Sequence, residues 1–168
     1  MMKSNLMMDF SVDKENRKIR VKREFAAPLD KVWAAWTQRE LLDKWWAPKP
    51  WQARTKSLDF KPGGMWLYAM VGPDGTTHWS RSDYQSINPQ ESFSWLSAFC
   101  DSEGNMDETL SRSSWNNGFN EEQGATLVTI EITYQNIADM EMMIEMGFTE
   151  GFTAGLQNLE DLFTEGGL

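Results

Sequence analysis

Residues 65–84, MWLYAMVGPDGTTHWSRSDY, hold two apolar segments joined by the turn signal Gly-Pro-Asp-Gly. Proline presets the φ angle of its turn position, aspartate favours the next position, and glycine accepts a positive φ. Such a turn favours a three-residue hairpin loop with the glycine in a bulge. The pairs that this register predicts are Gly72 with Thr76, Met70 with His78, Tyr68 with Ser80 and Trp66 with Ser82.

The same face of the sheet continues onto a third strand. A turn at residues 88–90 (Asn-Pro-Gln) returns the chain through Ser92 to Cys100. The predicted face adds the pairs Ser82 with Ser97 and Ser80 with Phe99, together with Tyr84, Phe93 and Trp95. A mixture of large aromatic rings and small hydroxyls is typical of a ligand pocket. A core that contains ordered water has the same make-up, so both interpretations stay open.

Hydrophobic periodicity predicts the remaining elements. Residues 1–15 are expected to be a flexible leader, and residues 16–165 a single domain. The expected elements are strands over 17–25, 51–60 and 127–134, helices from Pro28 and over 39–46, and one long helix over 138–163. Residues 101–124 are expected to be a long polar loop, with or without a short strand near Trp115. Helices packed against one antiparallel sheet place the chain in the α+β class.

Three glycines, Gly147, Gly151 and Gly155, recur every four residues in the C-terminal helix. Each costs about 1 kcal/mol relative to alanine in a helix interior. Because the spacing puts them on one face, we expect another part of the chain to pack closely there.

The 168 residues carry a net charge of −9 and contain one cysteine and one histidine. Nucleic acid and anionic lipid both need a cationic footprint, so neither is expected as a partner. One cysteine excludes an internal disulfide, and the single histidine excludes a zinc site built from several Cys and His ligands. No apolar run is long enough to span a membrane, so we expect no membrane insertion and a cytoplasmic location. We expect no metal and no tightly bound cofactor.

Five stretches together carry a resemblance to a known family. They are VKREFAAPLDKVWAAWT (21–37), ELLDKWWAPKPW (40–51), LDFKPGGMWLYAMVGPDG (58–75), INPQESFSW (87–95) and MGFTEGFTAGLQNLEDLF (146–163). In this order and spacing they resemble the Aha1 C-terminal-domain-like (activator of Hsp90 ATPase homologue) family of the START/Bet v 1-like helix-grip (SRPBCC) superfamily. The resemblance implies a curved antiparallel β-sheet wrapped around a long C-terminal α-helix, with two short helices after the first strand.

The resemblance also implies a cavity for a hydrophobic small molecule between the sheet and the C-terminal helix. The residues expected to line it are Trp46, Trp66, Tyr68, Met70, His78, Ser80, Ser82, Tyr84, Trp95, Ser97, Phe99, Met146 and Phe152. Two other hypotheses are a protein-interaction module for an Hsp90-like chaperone, and a hydrolase or cyclase acting within the cavity.

No catalytic residue is predicted, because the register places Cys100 on the opposite side of the sheet from His78. An ion pair between Arg23 and Asp59 is expected to hold strand ends together. The oligomeric state, monomer or homodimer, stays open.

Overall fold

Eight antiparallel strands and four helices make up the computed structural model, which describes residues 6–166. The strands are β1 (Met8–Asp13), β2 (Lys18–Phe25), β3 (Gln52–Leu58), β4 (Met65–Val71), β5 (Thr77–Asn88), β6 (Ser92–Cys100), β7 (Ser113–Glu122) and β8 (Ala125–Thr133). The helices are α1 (Leu29–Thr37), α2 (Arg39–Trp45), α3 (Ile137–Glu145) and α4 (Phe148–Thr164). No helix within residues 6–166 is both long and apolar enough to cross a membrane.

All eight strands belong to one curved sheet in the order β1-β2-β8-β7-β6-β5-β4-β3. The short helices α1 and α2 connect β2 to β3 at the opposite edge of the sheet. The long helix α4 turns Phe152, Leu156 and Leu159 toward the core, because these apolar residues recur at helical spacing. The α+β helix-grip architecture expected from the sequence is confirmed.

The register of the central hairpin is also confirmed. The amide of Gly72 donates to the carbonyl of Thr76 over 2.8 Å, and Gly75 has a φ of 88°. The predicted partners Met70–His78, Tyr68–Ser80 and Trp66–Ser82 lie opposite each other. The next hairpin likewise pairs Ser80 with Phe99 and Ser82 with Ser97. The two turn sequences therefore predicted the register of three strands correctly.

Two strands lie where the sequence predicted none or only a short one. Met8–Asp13, expected to belong to the flexible leader, forms β1 and pairs with β2, because Met8, Phe10 and Val12 alternate with polar residues. Residues 1–5 of the predicted leader lie outside the described residues. Within the expected loop over 101–124, residues 113–122 form the ten-residue strand β7, which hydrogen-bonds to β6 on one side and β8 on the other.

The expected single C-terminal helix is interrupted. It divides into α3 and α4 at Gly147, which has a φ of 94°. A positive φ of this kind is readily adopted by glycine and cannot continue a right-handed helix. Gly147 therefore separates α3 from α4.

Close packing at the helical glycines is confirmed at Gly155. A Cβ atom added there would lie 3.1 Å from the carbonyl oxygen of Trp46 and 3.3 Å from that of Trp45. Helix α4 therefore rests directly on the backbone at the end of α2. This contact brings the Trp46 side chain under α4, where it meets the sheet.

The predicted ion pair between Arg23 and Asp59 does not form. Arg23 instead donates to the side-chain oxygen of Gln157 over 3.0 Å and lies over the Phe25 ring. Asp59 is exposed and pairs with Lys61. Asp59 directly follows β3, and five strands lie between β2 and β3 in the sheet order, so the two side chains are too far apart to pair.

Candidate functional site

A cavity of about 240 Å³ lies between the inner face of the sheet and the junction of α3 and α4. Its wall combines β4, β5, β6 and β7 with the chain segment after α2 and with both C-terminal helices. The lining residues are Trp46, Pro48, Tyr68, Met70, His78, Ser80, Ser97, Phe99, Trp115, Met143, Met146, Gly147, Phe148, Gly151 and Phe152. No side chain in this set is an aspartate, glutamate, lysine or arginine.

The structure brings nine of the thirteen residues expected from the sequence to this wall. They are Trp46, Tyr68, Met70, His78, Ser80, Ser97, Phe99, Met146 and Phe152. Their shared position agrees with the hairpin register, which put the side chains of alternate residues on the inner face. Whether they hold a ligand stays a prediction.

The other four expected residues, Trp66, Ser82, Tyr84 and Trp95, lie on the same face but do not reach the cavity. Each is at most 2% exposed and packs in the solid end of the core. The Tyr84 ring, for example, lies 5.0 Å from Phe60. Alternation along a strand gives the face of a residue but not its depth, so this part of the expected lining is corrected.

Trp46 is the centre of the cavity floor. It is 6% exposed, and its ring lies between 5.2 and 6.4 Å from seven other aromatic rings. Those rings belong to Trp36, Trp45, Trp66, Tyr68, Trp95, Trp115 and Phe152. Tilted and edge-to-face contacts at these distances are the favourable geometries for aromatic pairs. The floor is therefore closely packed, whereas α3 and its C-terminal end contribute two flexible methionines, Met143 and Met146.

Polar groups occupy one side of the cavity. The indole N–H of Trp46 donates to the Tyr68 hydroxyl over 3.1 Å, and Ser80 lies directly opposite Tyr68 on β5. Burial raises the pKa of Tyr68 to about 12, although hydrogen bonding with Trp46 and Ser80 opposes the rise. The phenol is therefore neutral at physiological pH. Together with Ser97, these groups give an otherwise apolar cavity a small patch of hydrogen-bonding atoms.

The mouth of the cavity has a different make-up. His78 is exposed, and its imidazole stacks on Trp51 with ring centres 5.6 Å apart. Met146, which is 66% exposed, stands at the end of α3 on the other side of the opening. The exposed methionine on one side and the stacked aromatic pair on the other give the mouth an apolar rim that can adjust its shape.

A smaller chamber of about 50 Å³ adjoins the cavity beneath α3. The two spaces share Ser97, Phe99, Trp115 and Met143 in their walls. Asp139 borders the smaller chamber, and its carboxylate accepts hydrogen bonds from Ser111, whose contacts lower the pKa of that carboxyl. The chamber extends the space available beneath the methionines.

The structure gives no support to nucleophilic catalysis through Cys100. Cys100 pairs with Trp79 and so faces the side of the sheet opposite to His78, as the register predicted. Burial also raises the pKa of the thiol, which disfavours the reactive thiolate.

Six lining residues were not expected from the sequence: Pro48, Trp115, Met143, Gly147, Phe148 and Gly151. Trp115 was expected in a long loop or in a short strand within it, although an isolated tryptophan in a polar stretch is itself a sign of burial. Gly151 and Phe148 precede Phe152 by one and four residues, so helical spacing places Phe148 on the same face as Phe152. Met143 lies three residues before Met146, and the same rule would have found it.

The sequence profile of the Activator of Hsp90 ATPase homolog 1-like protein family matches residues 26–164. No curated protein matches the chain.

Solved structures of bacterial proteins are similar over nearly the whole chain. A crystal structure from Mycobacterium smegmatis has a TM-score of 0.86 and 28% identity, covering 94% of this chain and 96% of that one. An NMR structure from Arthrobacter aurescens has a TM-score of 0.88 and 27% identity, with coverages of 94% and 91%. An NMR structure from Staphylococcus epidermidis has a TM-score of 0.81 and 27% identity, covering 92% of this chain and 94% of that one. The curved sheet and its C-terminal helices are thus common to all three.

Proposed function

The chain belongs to the Activator of Hsp90 ATPase homolog 1-like family, and from this premise we propose that it binds an uncharged hydrophobic small molecule in the cavity beneath α3 and α4. The observation that carries the proposal is the cavity itself. Its volume of about 240 Å³ approaches the lower end of the roughly 300–1,000 Å³ typical of small-molecule sites. Protein interiors contain few voids larger than one water molecule, so a space of this size is unusual in a packed core.

The lining supports an uncharged ligand. A carboxylate or phosphate buried in this cavity would lack a cationic partner, and an unpaired buried charge is costly. The six aromatic lining residues, Trp46, Tyr68, Phe99, Trp115, Phe148 and Phe152, favour a flat apolar molecule that can contact several rings. The overall charge of −9 acts in the same direction, since it repels anions before they reach the mouth.

Titration with the neutral fluorescent probe N-phenyl-1-naphthylamine tests the proposal. We expect its emission to rise on binding and the emission of Trp46 and Trp115 to fall, because both line the cavity. Gly151→Leu should weaken binding at least tenfold, since the new side chain starts at the cavity wall where only Pro48 lies within 4 Å. Glu150→Leu is the matched control: it adds the same side chain to the same helix at an exposed position outside the cavity.

The proposal is wrong if wild type fails to bind the probe, or if Gly151→Leu and Glu150→Leu bind it equally well. A circular dichroism spectrum of each variant checks that the fold is retained.

The family name supplies a second candidate, interaction with an Hsp90-like chaperone. The discriminating measurement is the ATPase rate of a bacterial Hsp90 homologue with and without the protein. Stimulation that persists in Gly151→Leu would favour a surface-mediated interaction over the cavity. The cytoplasmic location expected from the sequence stays a prediction.

A further inference from the structure

The hydrogen bond between Trp46 and Tyr68 has only one possible direction. An indole N–H donates and cannot accept, so the Tyr68 oxygen is the acceptor in the 3.1 Å contact. The Trp46 contact therefore leaves the phenolic proton of Tyr68 unused, and the Ser80 hydroxyl, which also hydrogen-bonds with Tyr68, can donate to the same phenolic oxygen. The phenolic proton is the one proton of the Trp46 and Tyr68 pair that can reach a molecule in the cavity.

The surroundings of Tyr68 fix the position of its hydroxyl oxygen. Its ring stacks on Trp66 with centres 4.1 Å apart and meets Trp46 edge to face at 6.4 Å. The side chain is 5% exposed and still lines the cavity. Ser80 lies opposite on β5, so the phenol and a serine hydroxyl form one polar patch on an apolar wall. A donor held this firmly loses little freedom when it binds an acceptor.

We propose that Tyr68 donates a hydrogen bond to a carbonyl oxygen of the ligand, which makes the ligand class an aromatic ketone, quinone or lactone. The inference rests on the proposed function, since it assumes that the cavity holds a small molecule. A carbonyl oxygen accepts without donating and carries no charge, so it matches a neutral donor in a cavity lined by no charged side chain. Because Tyr68 accepts from Trp46 while it donates, each hydrogen bond strengthens the other.

The experiment compares 2-acetylnaphthalene with 2-ethylnaphthalene, which has nearly the same shape but no carbonyl. Each displaces N-phenyl-1-naphthylamine from wild type and from Tyr68→Phe. Loss of the hydrogen bond should weaken 2-acetylnaphthalene by about three- to tenfold in Tyr68→Phe. The affinity for 2-ethylnaphthalene should change less than twofold, which controls for any change in the shape of the wall.

Infrared spectroscopy gives a second readout that needs no variant. The carbonyl stretch of 2-acetylnaphthalene bound to wild type should lie at lower wavenumber than in hexane, because a hydrogen bond weakens the C=O bond. In Tyr68→Phe the stretch should move back toward its value in hexane.

The outcomes separate this inference from the proposed function. If both naphthalenes bind and Tyr68→Phe weakens them equally, or if the bound carbonyl absorbs as it does in hexane, the role of Tyr68 is refuted while the cavity remains a binding site. If N-phenyl-1-naphthylamine binds but 2-acetylnaphthalene does not, the ligand class is wrong. If none of the three binds, the proposed function fails and this inference fails with it.

Discussion

Alanine should stabilise the protein at Gly151 but not at Gly155, although both glycines lie in α4. Each substitution gains about 1 kcal/mol of helix stability, because glycine loses more backbone freedom on folding than alanine does. At Gly151 the new Cβ would meet its nearest neighbour, Pro48 Cγ, at an ordinary 3.7 Å. Gly151→Ala is therefore expected to raise the free energy of unfolding by up to about 1 kcal/mol.

At Gly155 the new Cβ would lie 3.1 Å from the Trp46 carbonyl oxygen and 3.3 Å from that of Trp45. Both atoms are backbone, so relief requires α4 to move away from α2. Overpacking of this kind costs about 1–3 kcal/mol, which cancels or exceeds the gain in helix propensity. We expect Gly155→Ala to be about 1–3 kcal/mol less stable than Gly151→Ala.

Urea unfolding followed by tryptophan fluorescence measures both free energies, and equal slopes would show that the unfolded states are comparable. Equal stabilisation by the two alanines would contradict the direct seating of α4 on the end of α2. A larger gain at Gly155 than at Gly151 would contradict it more strongly still.

Three further predictions concern the helix break, the buried tyrosines and a buried carboxyl. Gly147→Ala should lower the free energy of unfolding by about 1–2 kcal/mol, since the φ of 94° disfavours any residue with a Cβ. An unchanged midpoint of urea unfolding would argue against the break between α3 and α4. Burial raises the pKa of Tyr68 and of Tyr134 to about 12, and it raises the pKa of Tyr84 further. At pH 11 the folded protein should therefore lack most of the tyrosinate absorbance at 295 nm that the urea-unfolded chain shows. The contribution of these pKa shifts to the free energy of unfolding is fully present below pH 10 and should be lost as the pH rises through 10 to 12. Tyrosinate absorbance of the folded protein near pH 10 would contradict the burial of these rings. Burial likewise raises the pKa of Glu160 above its ordinary value. Glu160→Gln should therefore gain stability relative to wild type as the pH rises from 4 to 7, whereas a difference independent of pH would contradict the burial of that carboxyl.

The sequence was most informative where local chemistry limits the backbone. Pro73 and Gly75 determine the length of one turn, and a turn of known length aligns every pair of the hairpin that it closes. The two short helices were found for a similar reason, because Pro28 favours the start of a helix and Pro48 ends one. The family resemblance then implied that one curved sheet wraps around the C-terminal helix, as the structure shows.

The elements that the sequence did not reveal depend on partners distant along the chain. Strand β7 has few apolar residues besides Trp115 and Phe119. Its extended conformation is stabilised by backbone hydrogen bonds to β6 on one side and β8 on the other. Strand β1 is short and half-exposed, and among the described residues β2 is its one neighbour in the sheet. Pairing between distant segments leaves only a weak signal in either segment, since each needs the other to satisfy its backbone groups.

The candidate site, too, was predicted where it depends on local sequence and missed where it depends on distant parts of the chain. Alternation placed Trp66, Tyr84 and Trp95 on the inner face correctly, but the depth at which α4 crosses the sheet decides which rings line a space. That depth is determined by the contact of Gly155 with the end of α2, a contact between residues more than a hundred positions apart. The placement of Met143 and Met146 likewise depends on the break at Gly147, which the helical spacing on either side conceals.

The indole N–H resonances of the nine tryptophans offer the most direct test of the cavity as a binding site. N-phenyl-1-naphthylamine should shift the signals of Trp46 and Trp115, which line the cavity, because its rings would lie against theirs. The signals of Trp33 and Trp79, which lie outside the cavity wall, should stay in place and serve as internal controls. Shifts confined to Trp79 or Trp33, or no shift at any tryptophan at saturating probe, would contradict the proposed cavity.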